Sequence, residues 1–139
     1  MKHVPLLALC LTFAACAGGG PLGAPSPTDG VLRGTWHGPV TFTKPVPMTT
    51  QMTLTFTPMA NTGGHGFEAQ ASWMGITTRA MTATAIGSQF SVDGAYPSPN
   101  GCDGFAGGLG TVDGRTIDSS FSGSSSCDSV FEGHMVLTR

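Results

Sequence analysis

Charge is the scarcest property of this 139-residue chain: Lys, Arg, Asp and Glu together make up 10% of it, against roughly 25% in ordinary soluble domains. The basic residues Arg33, Lys44, Arg79, Arg115 and Arg139 are scattered. A nucleic-acid footprint needs such residues gathered on one face, so nucleic acid is not expected as a partner. A sustained helical period is missing as well, because 21 Gly and 10 Pro interrupt every long window. No apolar run approaches the roughly 18–20 residues that a membrane-spanning helix requires.

Signatures of catalysis are also absent. The many serines include no Gly-x-Ser-x-Gly elbow, which a hydrolase nucleophile of that type needs for its sharp strand-to-helix turn. The stretch Gly107-Gly108-Leu109-Gly110 lacks the following helix and Lys of a phosphate loop. Asp93, Asp103, Asp113, Asp118, Asp128 and Glu132 stand beside Gly or Ser, the company of turn residues. No two of them are placed to share a cleft for acid–base work. His37, His65 and His134 are not spaced as metal ligands, and no Cys-x-x-Cys occurs, so a zinc site would have to be assembled wholly by the fold. The expectation is no enzyme, no metal and no cofactor. Copper is the minor alternative, because Met48, Met52, Met59, Met74, Met81 and Met135 supply thioethers that suit Cu(I). The plainer account has Met52 and Met135 filling a core while the others cap loops.

What is present begins at the N-terminus. Met1-Lys2-His3 is basic, residues 4–15 are apolar, and small residues follow, which together read as an export signal. Ala14-Ala15-Cys16 resembles the lipobox of bacterial lipoproteins. That resemblance implies cleavage before Cys16, acylation of Cys16 (palmitate among the acyl groups) and a membrane-anchored address in the cell envelope, on the periplasmic or the surface side. Ala17 rather than Asp after the cysteine implies the outer membrane. Residues 17–29 are Gly-, Pro- and Ser-rich without periodicity and read as a flexible tether. The chain thus divides into a signal peptide (1–15), a lipidated Cys with linker (16–30) and one domain (31–139).

The same resemblance sorts the cysteines. Cys10 leaves with the signal and Cys16 carries lipid, so Cys102 and Cys127 remain in an oxidising compartment where disulfides persist. The other possibility is a pair of free buried thiols.

From residue 31 onward apolar and polar residues alternate with period two, the mark of strands with one buried face. Met52, Leu54 and Phe56 share a face, as do Phe67, Ala69, Ala71 and Trp73; Phe90 and Val92; and Phe131, Met135 and Leu137. Residues 76–84 read as one weakly alternating strand, and residues 105–111 as a Gly-rich strand with Phe105 and Leu109 in phase. Turn residues separate the runs, and Asp113-Gly114 suits a tight type I′ hairpin. About eight short strands at regular spacing predict an all-β fold. An even, consecutive set closes naturally as an antiparallel up-and-down β-barrel without exposed edges.

Gly34-Thr35-Trp36 opens the first strand and Arg139 follows the last. A Gly-x-Trp start paired with a basic residue at the end of the final strand is similar to the lipocalin and avidin group of barrels. The resemblance implies that Arg139 packs over Trp36 and seals one end of the barrel; it assigns no ligand-binding residue here. In such a meander Cys102 and Cys127 fall at the other end. Their strands, sixth and eighth, are second neighbours about 10 Å apart at the usual strand spacing. A disulfide spans at most about 7 Å between Cα atoms, so the bridge must join loops or bent strand ends.

The open rim therefore carries residues 44–50, 74–75, 97–103 and 123–128, with Lys44, Tyr96, Asn100 and Asp103 as the candidate recognition residues. Ala69, Ala71, Ala80 and Gly107 either leave the interior hollow or make room for Trp73 and Phe105. A hollow interior implies an unknown small molecule as ligand. A filled interior with an apolar rim implies an envelope protein as partner, an inhibited enzyme for example. In both cases the role is binding or interaction.

Overall fold

The computed structural model describes residues 32–97 and 101–139. Nine strands form among them: β1 (Gly34–Lys44), β2 (Met48–Pro58), β3 (Gly66–Trp73), β4 (Ile76–Thr77), β5 (Met81–Ile86), β6 (Gln89–Pro97), β7 (Asp103–Asp113), β8 (Thr116–Ser125) and β9 (Phe131–Thr138). Every pairing is antiparallel. β1 pairs both β2 and β9, with Val40 opposite Met135 and Thr41 opposite His134, and β2 pairs β3. Those contacts close an eight-stranded barrel, and β4 is a short extra strand attached to β3. Closure gives the backbone donors and acceptors of both would-be edge strands a partner.

Residues 76–84 do not form one strand. On β3 the pairing moves by one residue between Ser72↔Thr77 and Ala69↔Met81, so one extra residue is taken up at residues 78–80. Thr78 bridges the irregularity: its amide donates to the Ala71 carbonyl at 2.9 Å, and its Oγ1 accepts from the Ala71 amide at 3.0 Å. The bulge changes which parity faces inward, from Thr78 to Met81, Ala83 and Ala85. That switch is why the alternation is weak in the sequence. Met81 is thereby a core residue alongside Met52 and Met135, not a loop cap, while Ala80 is exposed.

The interior is two tiers of aromatic rings. Near the start of β1, Trp36 and Leu32 are fully buried, and Phe56 meets Phe67 and Phe90 edge-on at 6.2 and 5.8 Å between centroids. Toward the far rim, Phe42 gathers Trp73, Phe121 and Phe131 at 6.4, 5.4 and 6.2 Å. Between the tiers lie Met52, Met81, Met135, Ala71 and Val92.

β7 is in the opposite phase to the one expected. Phe105 and Leu109 point outward, 57% and 71% exposed, and Gly107 faces out with them. The inward set is Gly104, Ala106, Gly108, Gly110 and Val112. The physical reason is ring volume on the neighbouring strands. A side chain at Gly104 would run into the Tyr96 ring, at Gly110 into Phe90, at Gly123 into Phe131 and at Gly133 into Phe121. Each aromatic lies over a bare stretch of backbone on the next strand. Apolar character on β7 therefore misreports its phase, because the buried face is made of the smallest residues.

Candidate functional site

One end of the barrel is plugged. The indole Nε1 of Trp36 donates to the Leu32 carbonyl at 2.8 Å, which satisfies both groups in a buried setting. The Arg139 guanidinium sits over the Trp36 ring, with Cζ 4.8 Å from the centroid, and donates to the Arg33 carbonyl at 2.8 Å. Arg115 closes the outside by donating from Nε to the Arg139 carbonyl at 2.8 Å. Trp36 and Arg139 thus stand together at this end.

The interior holds only a small apolar cavity of about 50 Å³, lined by residues that include Leu54, Met81, Val92, Ala106 and Met135. Small-molecule pockets are usually about 300–1,000 Å³. The barrel is a packed core, and Ala69 and Ala71 make room for rings.

The opposite rim is different. Here an apolar cleft of about 500 Å³ opens to solvent. Its floor is Phe42, Trp73 and Phe131, the upper aromatic tier, and those three residues also border the interior cavity beneath. Val46, from the turn joining β1 to β2, Met48, the first residue of β2, and Met74, from the turn joining β3 to β4, stand exposed around it. Val46 is 67% and Met74 64% exposed, high values for apolar side chains that share one hollow. The backbone enforces this at Met74. In the two-residue turn Met74-Gly75 both residues have positive φ, 48° and 79°, a type I′ geometry in which Asn-Gly or Gly-Gly is usual.

The Cys102–Cys127 disulfide crosses the same rim, with a Cα–Cα distance of 6.1 Å. It links the residue preceding β7 to the loop between β8 and β9, both outside the strand ladders. Ser125 organises that loop: its hydroxyl accepts from the amides of Asp128 at 2.8 Å and Cys127 at 3.3 Å, and meets the Asp128 carboxylate at 3.1 Å.

The expected rim residues come together in part: Lys44 and Tyr96 both line the cleft, and Asp103 does not. Lys44 borders the cleft and pairs with Glu132, Nζ to Oε1 at 2.9 Å. Tyr96 is not an accessible reading residue. It is 4% exposed, its ring packed edge-on against Phe131 at 5.1 Å and laid over Gly104. Burial pushes its phenol above the ordinary value of 10.0; a hydrogen bond with Ser125 opposes the rise and the nearby Asp128 carboxylate adds to it. Asp103 is exposed on the outer side, 3.9 Å from Arg79. Asn100 and Cys16 lie outside the described residues. Among the described residues, no group of three or more His, Cys, Asp or Glu is placed to hold a metal ion.

Val46, Met48 and Met74 lie on segments 44–50 and 74–75, which were expected at this rim, but they were not singled out as recognition residues. The signal at Val46 and Met74 was an apolar residue within a turn, where polar ones are usual. A broader hollow of about 980 Å³ crosses the outer wall, paved by Gly107, Ser120, Ser122 and Ser124 and flanked by Phe105 and Leu109. It is a shallow surface of the wall, and its border includes groups already partnered, Glu132 ion-paired with Lys44 and His134 hydrogen-bonded to Asp118.

No family model and no curated protein matches the chain. Two solved structures share its fold. One is a redesigned β-barrel, 24% identical, with a TM-score of 0.52 over 82% of this chain and 96% of that one. The other is a protein of Bacteroides fragilis, described provisionally as an outer membrane protein. It is 13% identical, with a TM-score of 0.53 over 81% of this chain and 52% of that one. The chain thus spans about half the length of the Bacteroides protein. At these identities both likenesses speak for the barrel architecture alone.

Proposed function

We propose that this chain is a lipid-anchored protein of a bacterial cell envelope whose barrel is a rigid support for a docking surface at its rim. Its role is to bind an apolar segment of an envelope partner, without catalysis. The observation that carries this reading is the contrast between the two ends of the barrel. One end is plugged and the interior filled to about 50 Å³, whereas about 500 Å³ of apolar cleft opens at the other rim. A rim held by a closed barrel and a disulfide loses little freedom on binding, which favours affinity. The filled interior speaks against an internal small-molecule ligand of lipocalin type. The anchor is drawn from Ala14-Ala15-Cys16 and the tether after it. The outer-membrane description of the Bacteroides barrel runs in the same direction. Leu32, the first described residue, lies at the plugged end, so a barrel anchored through Cys16 would present its rim away from the membrane.

The rim is tested with an environment-sensitive apolar dye, anilinonaphthalene sulfonate. Wild-type protein is expected to bind it, and Val46→Glu and Met74→Glu to weaken binding at least about tenfold, the size expected when a charge faces an apolar ligand. Their thermal midpoints should stay near wild type, since both side chains are exposed. Dye binding unchanged in both variants would sink the rim assignment. The anchor is tested separately by palmitate labelling: Cys16→Ser is expected to abolish label and release the protein from membranes, and an unlabelled, freely soluble wild type would exclude it.

A further inference from the structure

The methionines of the described residues divide by exposure. Met52, Met81 and Met135 are buried in the core, whereas Met48, Met59 and Met74 are 38%, 44% and 64% exposed. Two of the exposed three, Met48 and Met74, border the rim cleft. Met59 lies beyond β2, on the connection to β3 at the plugged end. Met74 is held outward by a left-handed backbone conformation that side chains other than Gly, Asn and Asp rarely adopt. Its thioether is thus presented to solvent at the mouth of an apolar surface. The neighbouring walls, Val46, Ile76 and Trp73, offer apolar surface, and the Lys44 ammonium is engaged by Glu132.

We infer that Met48 and Met74 form an oxidative modification site that switches the rim cleft off. This rests on the reading of the cleft as the docking surface. The oxidant is a peroxide. A sulfur lone pair attacks one oxygen of hydrogen peroxide, the S–O bond forms as the O–O bond breaks, and the departing hydroxide takes the proton of the transferred hydroxyl and leaves as water. Sulfur is oxidised by two electrons and the peroxide is reduced by two. The product sulfoxide replaces a flexible apolar side chain with a strongly polar one. Docking an apolar segment would then strip water from the sulfoxide oxygen with no donor provided in return. The core methionines are shielded by the barrel wall, so the chemistry alters the rim and spares the fold.

The test treats the purified full chain with limiting hydrogen peroxide, maps oxidised peptides by mass spectrometry, and measures anilinonaphthalene sulfonate binding before and after. Met48, Met59 and Met74 are expected to oxidise well before Met52, Met81 and Met135. Dye affinity should fall about tenfold, as expected for burying one unpaired sulfoxide oxygen. The Met48→Leu/Met74→Leu double variant should have the same dye affinity after peroxide as before it, whatever its untreated value. Met59→Leu should behave like wild type, losing affinity on treatment. Wild type that fails to bind before treatment overturns the docking reading itself. Wild type that binds but keeps its affinity with Met48 and Met74 oxidised overturns the switch. So does an equal loss in the double leucine variant.

Discussion

Exchanging Gly104 for Ala tests the least obvious feature of the fold, the inward phase of β7. A Cβ at Gly104 would lie within 3.0 Å of three atoms of the Tyr96 ring, where carbon atoms rest at about 3.5–4.0 Å. The ring has little room to retreat: Phe131 meets it edge-on at 5.1 Å, and its hydroxyl is tied to Ser125. Overpacking of this kind costs about 1–3 kcal/mol. Loss of glycine's freedom in the unfolded chain offsets about 0.4–1 kcal/mol of that. The expected net change is a loss of about 1–2 kcal/mol. Gly107→Ala, three residues along the same strand, is the control. Its Cβ would point outward, with the nearest atom, the Val92 carbonyl oxygen, at an unstrained 3.4 Å, so only the stabilising term of about 0.5 kcal/mol remains. The variants should therefore differ by about 2 kcal/mol, which in urea separates their midpoints by about 1 M at a typical slope. If Gly104→Ala unfolds at the same or a higher urea concentration than Gly107→Ala, the assignment of faces on β7 is wrong.

Three further outcomes follow from the same structure. Breaking the bridge with Cys102→Ser should lower stability by about 3.5 kcal/mol, from chain entropy at the sequence separation of 25; urea midpoints unaffected by a reducing agent would contradict this. Trp36→Phe keeps a ring beneath Arg139 but leaves the buried Leu32 carbonyl without its donor, so a loss of about 1–3 kcal/mol is expected in thermal or urea unfolding, and an unchanged midpoint would show the plug to be dispensable. Tyr96 is the chain's single tyrosine, so tyrosinate absorbance reports it alone and should show a midpoint above the ordinary 10.0. With the folded value raised, its stabilising contribution is complete below pH of about 10 and is lost as pH rises through the folded value, a loss that Tyr96→Phe should remove; a midpoint at or below 10 would refute it.

The strand count, the closed antiparallel meander, the partners of the disulfide and the pairing of Trp36 with Arg139 were all legible in the residues. The strand count and the meander rest on local signals, period-two alternation and turn residues between runs, whereas the cysteine pair and the Trp36–Arg139 contact came from the lipoprotein and the lipocalin and avidin resemblances. The barrel then follows because consecutive short strands have few other ways to satisfy their edges. Three features escaped. The split at residues 78–80 escaped because a one-residue bulge reverses parity without leaving a distinctive residue. The phase of β7 escaped because its buried face is glycine and alanine, chosen to fit rings carried by β6 and β8, so hydrophobicity along β7 itself points the wrong way. The apolar character of the rim escaped because recognition was sought in Lys44, Tyr96, Asn100 and Asp103, whereas Val46, Met48 and Met74, on segments rightly expected at that end, make the apolar surface over the buried rings. Periodicity along a chain determines which elements form. Volume complementarity between paired strands decides which side chains the core accepts and which are left to face a partner.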